Sequence, residues 1–270
     1  MIGPPPTRFG GRLWSSGELD ALAGRWCAEL RSAVPTPPPV VATVLPSHPE
    51  GIALFFALSA LPVAVALLGE DPTSWRSAPP LPPDAPVVLP PVLAHLAGAA
   101  TARGRRAIVL GKDEGGAAPA EYHPFSFSGI VAFTTGSTGA PKPVYWPGAA
   151  LLESTRAQTF GLGLVPGDGI IGALPLYHTH GLRAVLVASI LLGGPLALVE
   201  RFDHRSVLAL FAEGDYRHFP CTPFMADALA RCPLSGPPPK APEAIRKGNS
   251  AAAPAPSTRP SPRPSTAAST

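Results

Sequence analysis

Short runs of apolar residues, bounded by glycine, proline or polar residues, recur along most of the chain. Runs of this length that are apolar at consecutive positions are typical of buried strands. The runs that predict strands are Val40–Leu45, Val63–Leu68, Val87–Leu89, Ala107–Leu110, Ile130–Phe133, Ile170–Leu174 and Pro195–Val199. Tyr216–Pro220 is a further candidate strand, although it contains Arg217 and His218.

Segments with apolar residues at helical spacing lie between these runs. The predicted helices are Ser16–Ser32, Val92–Ala102, Leu151–Phe160, Gly181–Leu192, Ser206–Ala212, one that Ser47 caps with Glu50 as its capping-box partner, and one from Pro223 through Leu229. Alternating strands and helices predict an α/β fold with largely parallel sheets and flanking helices.

The predicted strand Ile130–Phe133 leads into a segment rich in glycine and hydroxyl side chains. Glycine permits positive φ and a close approach of the backbone, so this loop can wrap N–H groups around an anion. The residues expected to bind phosphate are Thr134, Thr135, Gly136, Ser137, Thr138, Gly139 and Lys142. A Walker A loop is not predicted, because Pro141 and Pro143 flank the lysine where that pattern needs Gly and Ser or Thr.

The segment T-T-G-S-T-G-A-P-K-P resembles the phosphate loop T-[ST]-G-[ST]-T-G-x-P-K-G of the adenylate-forming superfamily. That superfamily includes acyl-CoA synthetases, aryl-CoA ligases, luciferases and the adenylation domains of peptide synthetases. Thr135 replaces the commonest serine and keeps its hydroxyl, whereas Pro143 replaces the usual glycine and removes one N–H donor. A surface turn without a ligand is the alternative, and the number of matching positions favours the phosphate loop.

A second motif, P-L-Y-H-T-H-G over Pro175–Gly181, directly follows the next predicted strand, Ile170–Leu174. It resembles the P-[LM]-[FY]-H-x-x-G motif of the same superfamily. The resemblance implies that His178 is catalytic and lies beside the acyl pocket and the nucleotide. It also implies that Tyr177 and Gly181 belong to the substrate pocket, whereas His180 occupies a variable position. An exposed or structurally satisfied histidine is the alternative for a single motif.

The pattern of apolar runs ends near residue 235. We therefore predict a partial N-terminal domain of an adenylate-forming enzyme over 1–235, with a subdomain break near 112–128. Residues 236–270 are rich in Pro, Ala, Ser and Arg, and we expect them to be disordered. The superfamily's aromatic-G-x-T-E motif, acidic ribose motif and C-terminal lysine do not occur before Thr270. Truncation is the expected explanation, for example by a frameshift in a GC-rich gene.

Charge and cysteine content narrow the function classes. The net charge is +3, and the tail 236–270 carries +4 of it, so the body is close to neutral and nucleic-acid binding is not predicted. Three cysteines without metal-ligand spacing indicate no disulfide scaffold and no metal site, and they suit a reducing cytoplasm.

The N-terminus lacks the apolar core of a signal peptide. Pro62 splits the uncharged stretch 51–69, which favours a helix and a strand over a membrane span.

The resemblance implies an enzyme that activates a small carboxylic acid with ATP and Mg²⁺ and then transfers the acyl group to the thiol of CoA or a carrier protein. A role in fatty acid metabolism is one implied setting. Lys142 and His178 are the catalytic candidates. The missing motifs favour an inactive chain, so the alternative is a non-catalytic remnant or a nucleotide- or phosphate-binding module.

Overall fold

The computed structural model describes residues 3–76, 81–111, 121–134 and 141–232. Within these ranges the chain forms two sheets, with helices between them and on their outer faces. The α/β fold class is confirmed. The tail 236–270 and part of the predicted subdomain break lie outside the described residues, so the domain division stays a prediction.

The elements follow one another as alternating strands and helices. The strands are β1 (Thr7–Phe9), β2 (Arg12–Trp14), β3 (Val40–Thr43), β4 (Ala64–Leu67), β5 (Val87–Leu89), β6 (Ala107–Val109), β7 (Gly129–Thr134), β8 (Lys142–Pro147), β9 (Gly169–Gly172), β10 (Leu196–Leu198) and β11 (Tyr216–His218). The α-helices are α1 (Ser16–Ala33), α2 (Pro49–Ser59), α3 (Ala97–Thr101), α4 (Gly148–Gly161), α5 (Thr179–Gly181), α6 (Ala188–Leu192), α7 (His204–Glu213) and α8 (Pro223–Ala230). A π-helical turn, Leu182–Val187, joins α5 and α6 into one continuous helical segment.

Both sheets are mainly parallel, as predicted. The larger sheet has the strand order β6-β5-β3-β4-β7-β8, and in it β8 alone runs antiparallel to its neighbour. The smaller sheet has the order β11-β9-β10-β1-β2, and β2 is its antiparallel edge strand. Each sheet therefore ends on one side in an antiparallel edge strand.

Apolar side chains on both faces of the strands explain the uninterrupted apolar runs. In β4, Val65 and Leu67 face the core between the sheets, whereas Ala66 faces a second core on the outer side of the larger sheet. In β10, Leu196 faces the central core and Ala197 faces a third core beneath α7 and α8. Strands covered by helices on both faces are buried throughout, which is the usual state of parallel sheets.

Three strands were not predicted. β1 and β2 are three residues long and contain arginine, so they show no apolar run. β8 contains Pro143 and Pro147, which argue against a central strand. In an antiparallel pair, alternate residues direct their N–H groups towards the partner strand or away from it. Pro143 and Pro147 occupy positions that face away from β7, so the lack of an N–H at these prolines costs no hydrogen bond to β7. Of the three β8 residues on this outer edge, Tyr145 alone has an N–H group, which limits pairing with a further strand.

Two helix predictions were partly wrong. His48, not Ser47, caps α2: its Nδ1 accepts a hydrogen bond of 3.1 Å from the backbone N–H of Glu50. The predicted helix Val92–Ala102 is a 3₁₀ segment over Pro91–Leu96 followed by the short α3. The stretch 51–69 forms α2 and then β4, as predicted. In the part of the chain that the structure describes, no helix is long and apolar enough to cross a bilayer.

Candidate functional site

A cleft of about 170 Å³ lies where the carboxyl ends of β4 and β7 meet the segment that follows β9. Both sheets therefore contribute to it, since β4 and β7 belong to the larger sheet and β9 to the smaller one. The lining residues are Leu67, Leu68, Gly69, Ser74, Trp75, Ala132, Phe133, Pro141, Tyr177, His178 and Thr179.

The phosphate motif is held by an antiparallel pair of strands at this cleft. Thr134, at the end of β7, pairs with Lys142, at the start of β8. The exposed Lys142 side chain and the cleft residue Pro141 are thus fixed at the point where the loop ends. The return into a strand, not a helix, agrees with the expectation that this is not a Walker A loop.

The central part of the predicted phosphate site lies outside the described residues. This applies to Thr135, Gly136, Ser137, Thr138 and Gly139, whose roles stay predictions.

Tyr177 and His178 lie side by side on the opposite wall of the cleft. Their ring centroids are 4.6 Å apart, and the ring planes are tilted by 42°. The backbone N–H of His178 donates to the Pro175 carbonyl at 3.1 Å, and the His178 carbonyl accepts from the Leu182 N–H at 2.8 Å. These bonds place His178 at the start of the helical segment 179–192. Its ring is exposed on the cleft side.

Partial burial sets the protonation states of these two rings. Loss of water around the imidazole lowers the pKa of His178, so the neutral ring predominates at pH 7. Partial burial, with the nearby carboxylate of Glu70, raises the pKa of Tyr177, so its hydroxyl keeps its proton. Partial burial and the charge of Glu200 also raise the pKa of Glu70. The cleft therefore offers a neutral imidazole and a phenol beside an acidic rim.

Gly181 has a packing role that the sequence motif did not reveal. A Cβ atom at this position would lie 2.1 Å from the Pro175 carbonyl oxygen. The glycine is buried and allows the helical segment to start directly against the end of the β9 connection. Gly181 is not among the residues that line the described cleft.

The cleft residues Ser74 and Trp75 were not found from the sequence. They come from a 3₁₀ segment, Pro72–Arg76, that packs across the end of β4. The Trp75 Nε1–H donates to the Gly69 carbonyl at 2.7 Å, which holds the segment in place. This hydrogen bond joins two residues of the same connection, but the position of Trp75 beside β7 and Tyr177 depends on the tertiary fold. No sequence motif indicates that Ser74 and Trp75 line the cleft.

Open α/β sheets bind their ligands at the carboxyl ends of parallel strands. The cleft lies at such ends and is lined by a neutral imidazole and aromatic side chains, with Lys142 next to its lining residue Pro141. Among the described residues, no group of three or more His, Cys, Asp or Glu side chains is arranged to hold a metal ion. The fold is thus that of an α/β protein with a candidate ligand cleft to which both sheets contribute.

The family is shown by the sequence itself. Residues 117–261, more than half of the chain, match the family described as AMP-binding enzyme. The chain belongs to this family, which confirms the predicted resemblance. The match covers both motifs and continues beyond residue 236.

Curated relatives include CoA ligases that act on aromatic acids. The chain is 36% identical to 4-chlorobenzoate–CoA ligase of Pseudomonas sp. (strain CBS-3) over 104 residues, which are 38% of this chain and 20% of that protein. It is 33% identical to 2-succinylbenzoate–CoA ligase of Listeria monocytogenes over 84 residues, which are 31% of this chain and 18% of that protein.

Solved structures show the same fold over a longer range. The apo structure of MatB from Rhodopseudomonas palustris superposes with a TM-score of 0.68 at 22% identity, covering 86% of this chain and 48% of that one. The o-succinylbenzoate CoA synthetase (MenE) of Bacillus subtilis, in complex with its acyl-adenylate intermediate, gives a TM-score of 0.69 at 21% identity, with 86% and 49% covered. The chain thus spans about half the length of these enzymes.

Proposed function

We propose that the cleft is the part of an adenylate-forming active site in which a carboxylic acid meets the phosphates of ATP. The acid's oxygen would attack the α-phosphorus, giving an acyl-adenylate and releasing pyrophosphate. The acyl group would then pass to a thiol. The observation that carries this proposal is that Pro141, the neighbour of Lys142 in the phosphate motif, and His178, from the second motif, line the same cleft.

The described residues suit these roles. Lys142 is an exposed cation at the end of the phosphate motif, where it can neutralise charge on phosphate oxygens. His178 is neutral and faces the cleft, so it can hydrogen-bond the attacking carboxylate or its adenylate. Mg²⁺ prefers oxygen ligands and is commonly held by substrate phosphates, so it would enter with ATP.

The relatives favour CoA as the acyl acceptor. The curated relatives are CoA ligases, and neither name refers to a carrier protein. The aromatic walls formed by Trp75, Phe133 and Tyr177 suit an apolar or planar acyl group next to the carboxylate. A carrier-protein thiol remains the less supported acceptor.

A nucleotide- or phosphate-binding role without ligation is the second candidate. Binding of phosphates depends on local groups, whereas the two chemical steps need every contact to both substrates.

Calorimetry with Mg²⁺–ATP and Mg²⁺–pyrophosphate tests the shared part of both candidates. Because Lys142 contributes a charge-assisted hydrogen bond, Lys142→Ala should weaken binding by about tenfold or more. Arg156→Ala is the control, because this exposed arginine lies on α4 away from the cleft. Equal affinities for the wild type and Lys142→Ala would refute the phosphate site.

Carboxylate-dependent exchange of pyrophosphate into ATP separates the two candidates. Exchange that His178→Ala and Lys142→Ala each abolish would establish acyl-adenylate formation. Binding without exchange, over a panel of benzoates and short aliphatic acids, would establish the non-catalytic role.

A further inference from the structure

Arg183 is a partly buried cation on the helical segment that His178 begins. It lies in the π-helical turn Leu182–Val187, five residues after His178. Its guanidinium carbon is 5.8 Å from the ring centroid of Trp146, a residue of β8. Arg183 therefore connects the helical segment that starts at His178 with β8, the strand that begins at Lys142.

The partners of Arg183 within the described part of the chain do not include an anion. No carboxylate ion pair or hydrogen bond from its guanidinium is found there, and Trp146 supplies a ring face only. The surroundings withdraw water from the group and lower the pKa of Arg183. A partly desolvated cation without a counter-charge is costly, so such a group is usually matched by an anion.

Within the described ranges, a second polar group next to Arg183 also lacks a partner. The Nε2 atom of His180 is buried and forms no hydrogen bond with the described residues. Burial, together with the charge of Arg183, lowers the pKa of His180. The two residues are three positions apart, which brings side chains together on one side of a helix. π-Helical turns are rare and occur frequently at functional sites.

We propose that Arg183, with His180 beside it, binds an oxyanion of a substrate at this site. The planar guanidinium suits two oxygens of a carboxylate or a phosphate. The oxyanion is either a second carboxylate on the acid that is activated or a phosphate group of the nucleotide. The assignment rests on the proposed function for the nature of these substrates.

Calorimetry with matched acids distinguishes the two sources. In the presence of Mg²⁺–ATP, a dicarboxylic acid such as glutarate should bind at least about tenfold more tightly than pentanoate, and Arg183→Met should remove that difference. If the nucleotide supplies the oxyanion, Arg183→Met should instead weaken Mg²⁺–pyrophosphate binding by about tenfold. Unchanged binding of all three probes by Arg183→Met would overturn the proposal.

Control variants separate ligand binding from a purely structural role. Arg183→Lys keeps the charge and should retain part of the affinity, and Arg156→Met should leave every affinity unchanged. The melting temperature of Arg183→Met should not fall, because the variant removes a partly desolvated charge and keeps the apolar stem. A lower melting temperature with unchanged binding would mean that Arg183 only packs on Trp146.

The proposed function and the oxyanion site can fail separately. Weaker Mg²⁺–pyrophosphate binding by Lys142→Ala, with no effect of Arg183→Met on any probe, would reject the oxyanion site alone. No Mg²⁺–ATP or Mg²⁺–pyrophosphate binding by the wild-type chain would reject the proposed function itself.

Discussion

The neighbouring strands β9 and β11 of the smaller sheet lead to histidines with opposite environments. The connection after β9 carries His178 out to the cleft, where its ring is exposed. β11 ends on His218, whose side chain is only 3% exposed. Burial lowers the pKa of His218 to about 4, with the charge of His180 acting in the same direction and Asp168 opposing it. One histidine can therefore meet a ligand, and the other belongs to the folded interior.

The difference arises from the connection at the end of each strand. After β9 the chain makes a turn at Pro175 and starts a helix directly against it, which leaves His178 at the helix start. After β11 the chain continues into Phe219 and Cys221, which are buried in the core beneath α7 and α8. Secondary structure alone therefore does not assign a functional histidine; the direction of the connection does.

The largest effect on stability is expected from a substitution at Gly181, which packs against the turn that precedes His178. Gly181→Ala places a Cβ about 2 Å from the Pro175 carbonyl oxygen, so the helix start must move. We expect a loss of about 3 kcal/mol in the free energy of unfolding, measured by urea denaturation. Gly17→Ala in α1 is the matched control, since no atom lies within 4 Å of the added Cβ. A fully stable Gly181→Ala variant would show that this close contact does not hold the turn.

A smaller, pH-dependent effect is expected from His218. Its pKa is about 4 in the fold and near 6.5 in the unfolded chain, so the unfolded chain binds the extra proton first. The stability from the neutral ring is complete above pH 6.5 and is lost as the pH falls towards 4. Between pH 7 and pH 5 the loss should be about 2 kcal/mol.

Urea denaturation at several pH values measures this loss. His218→Gln should remove most of the acid-induced loss, because glutamine does not titrate. His178→Gln should change the pH profile less than His218→Gln, because the His178 ring is more exposed. An equal pH dependence of wild type and His218→Gln would contradict the assigned burial of His218.

The sequence predicted the buried strands well because both of their faces are covered. Consecutive apolar residues such as Val63–Leu68 need no alternation when helices pack on both sides, and the pattern directly indicates a buried strand. The short edge strands have no such cover. β8 in particular combines two prolines with exposed side chains, and local preference argues against a strand there.

The site was predictable only where its chemistry is local. Lys142 and His178 belong to contiguous motifs, so the sequence could propose them as site residues without knowledge of the fold. Trp75 reaches the cleft because a 3₁₀ segment folds across the end of β4. Arg183 stands out because it contacts Trp146 and, among the described residues, no carboxylate. Neither the position of Trp75 nor the surroundings of Arg183 can be recognised from residues that are neighbours in the sequence. The packing role of Gly181 likewise depends on a contact with the preceding turn.

The most direct test of the site compares the two histidines during ligand binding. The ring resonances of His178 and His218, assigned with the two Gln variants, are followed by NMR through a pH titration with and without Mg²⁺–ATP. An anion bound beside His178 should raise its pKa, by up to about one unit, and leave the His218 resonances unchanged. In Lys142→Ala the response of His178 should require about tenfold more Mg²⁺–ATP. A response at His218, or none at His178 under saturating Mg²⁺–ATP, would contradict a nucleotide site in this cleft.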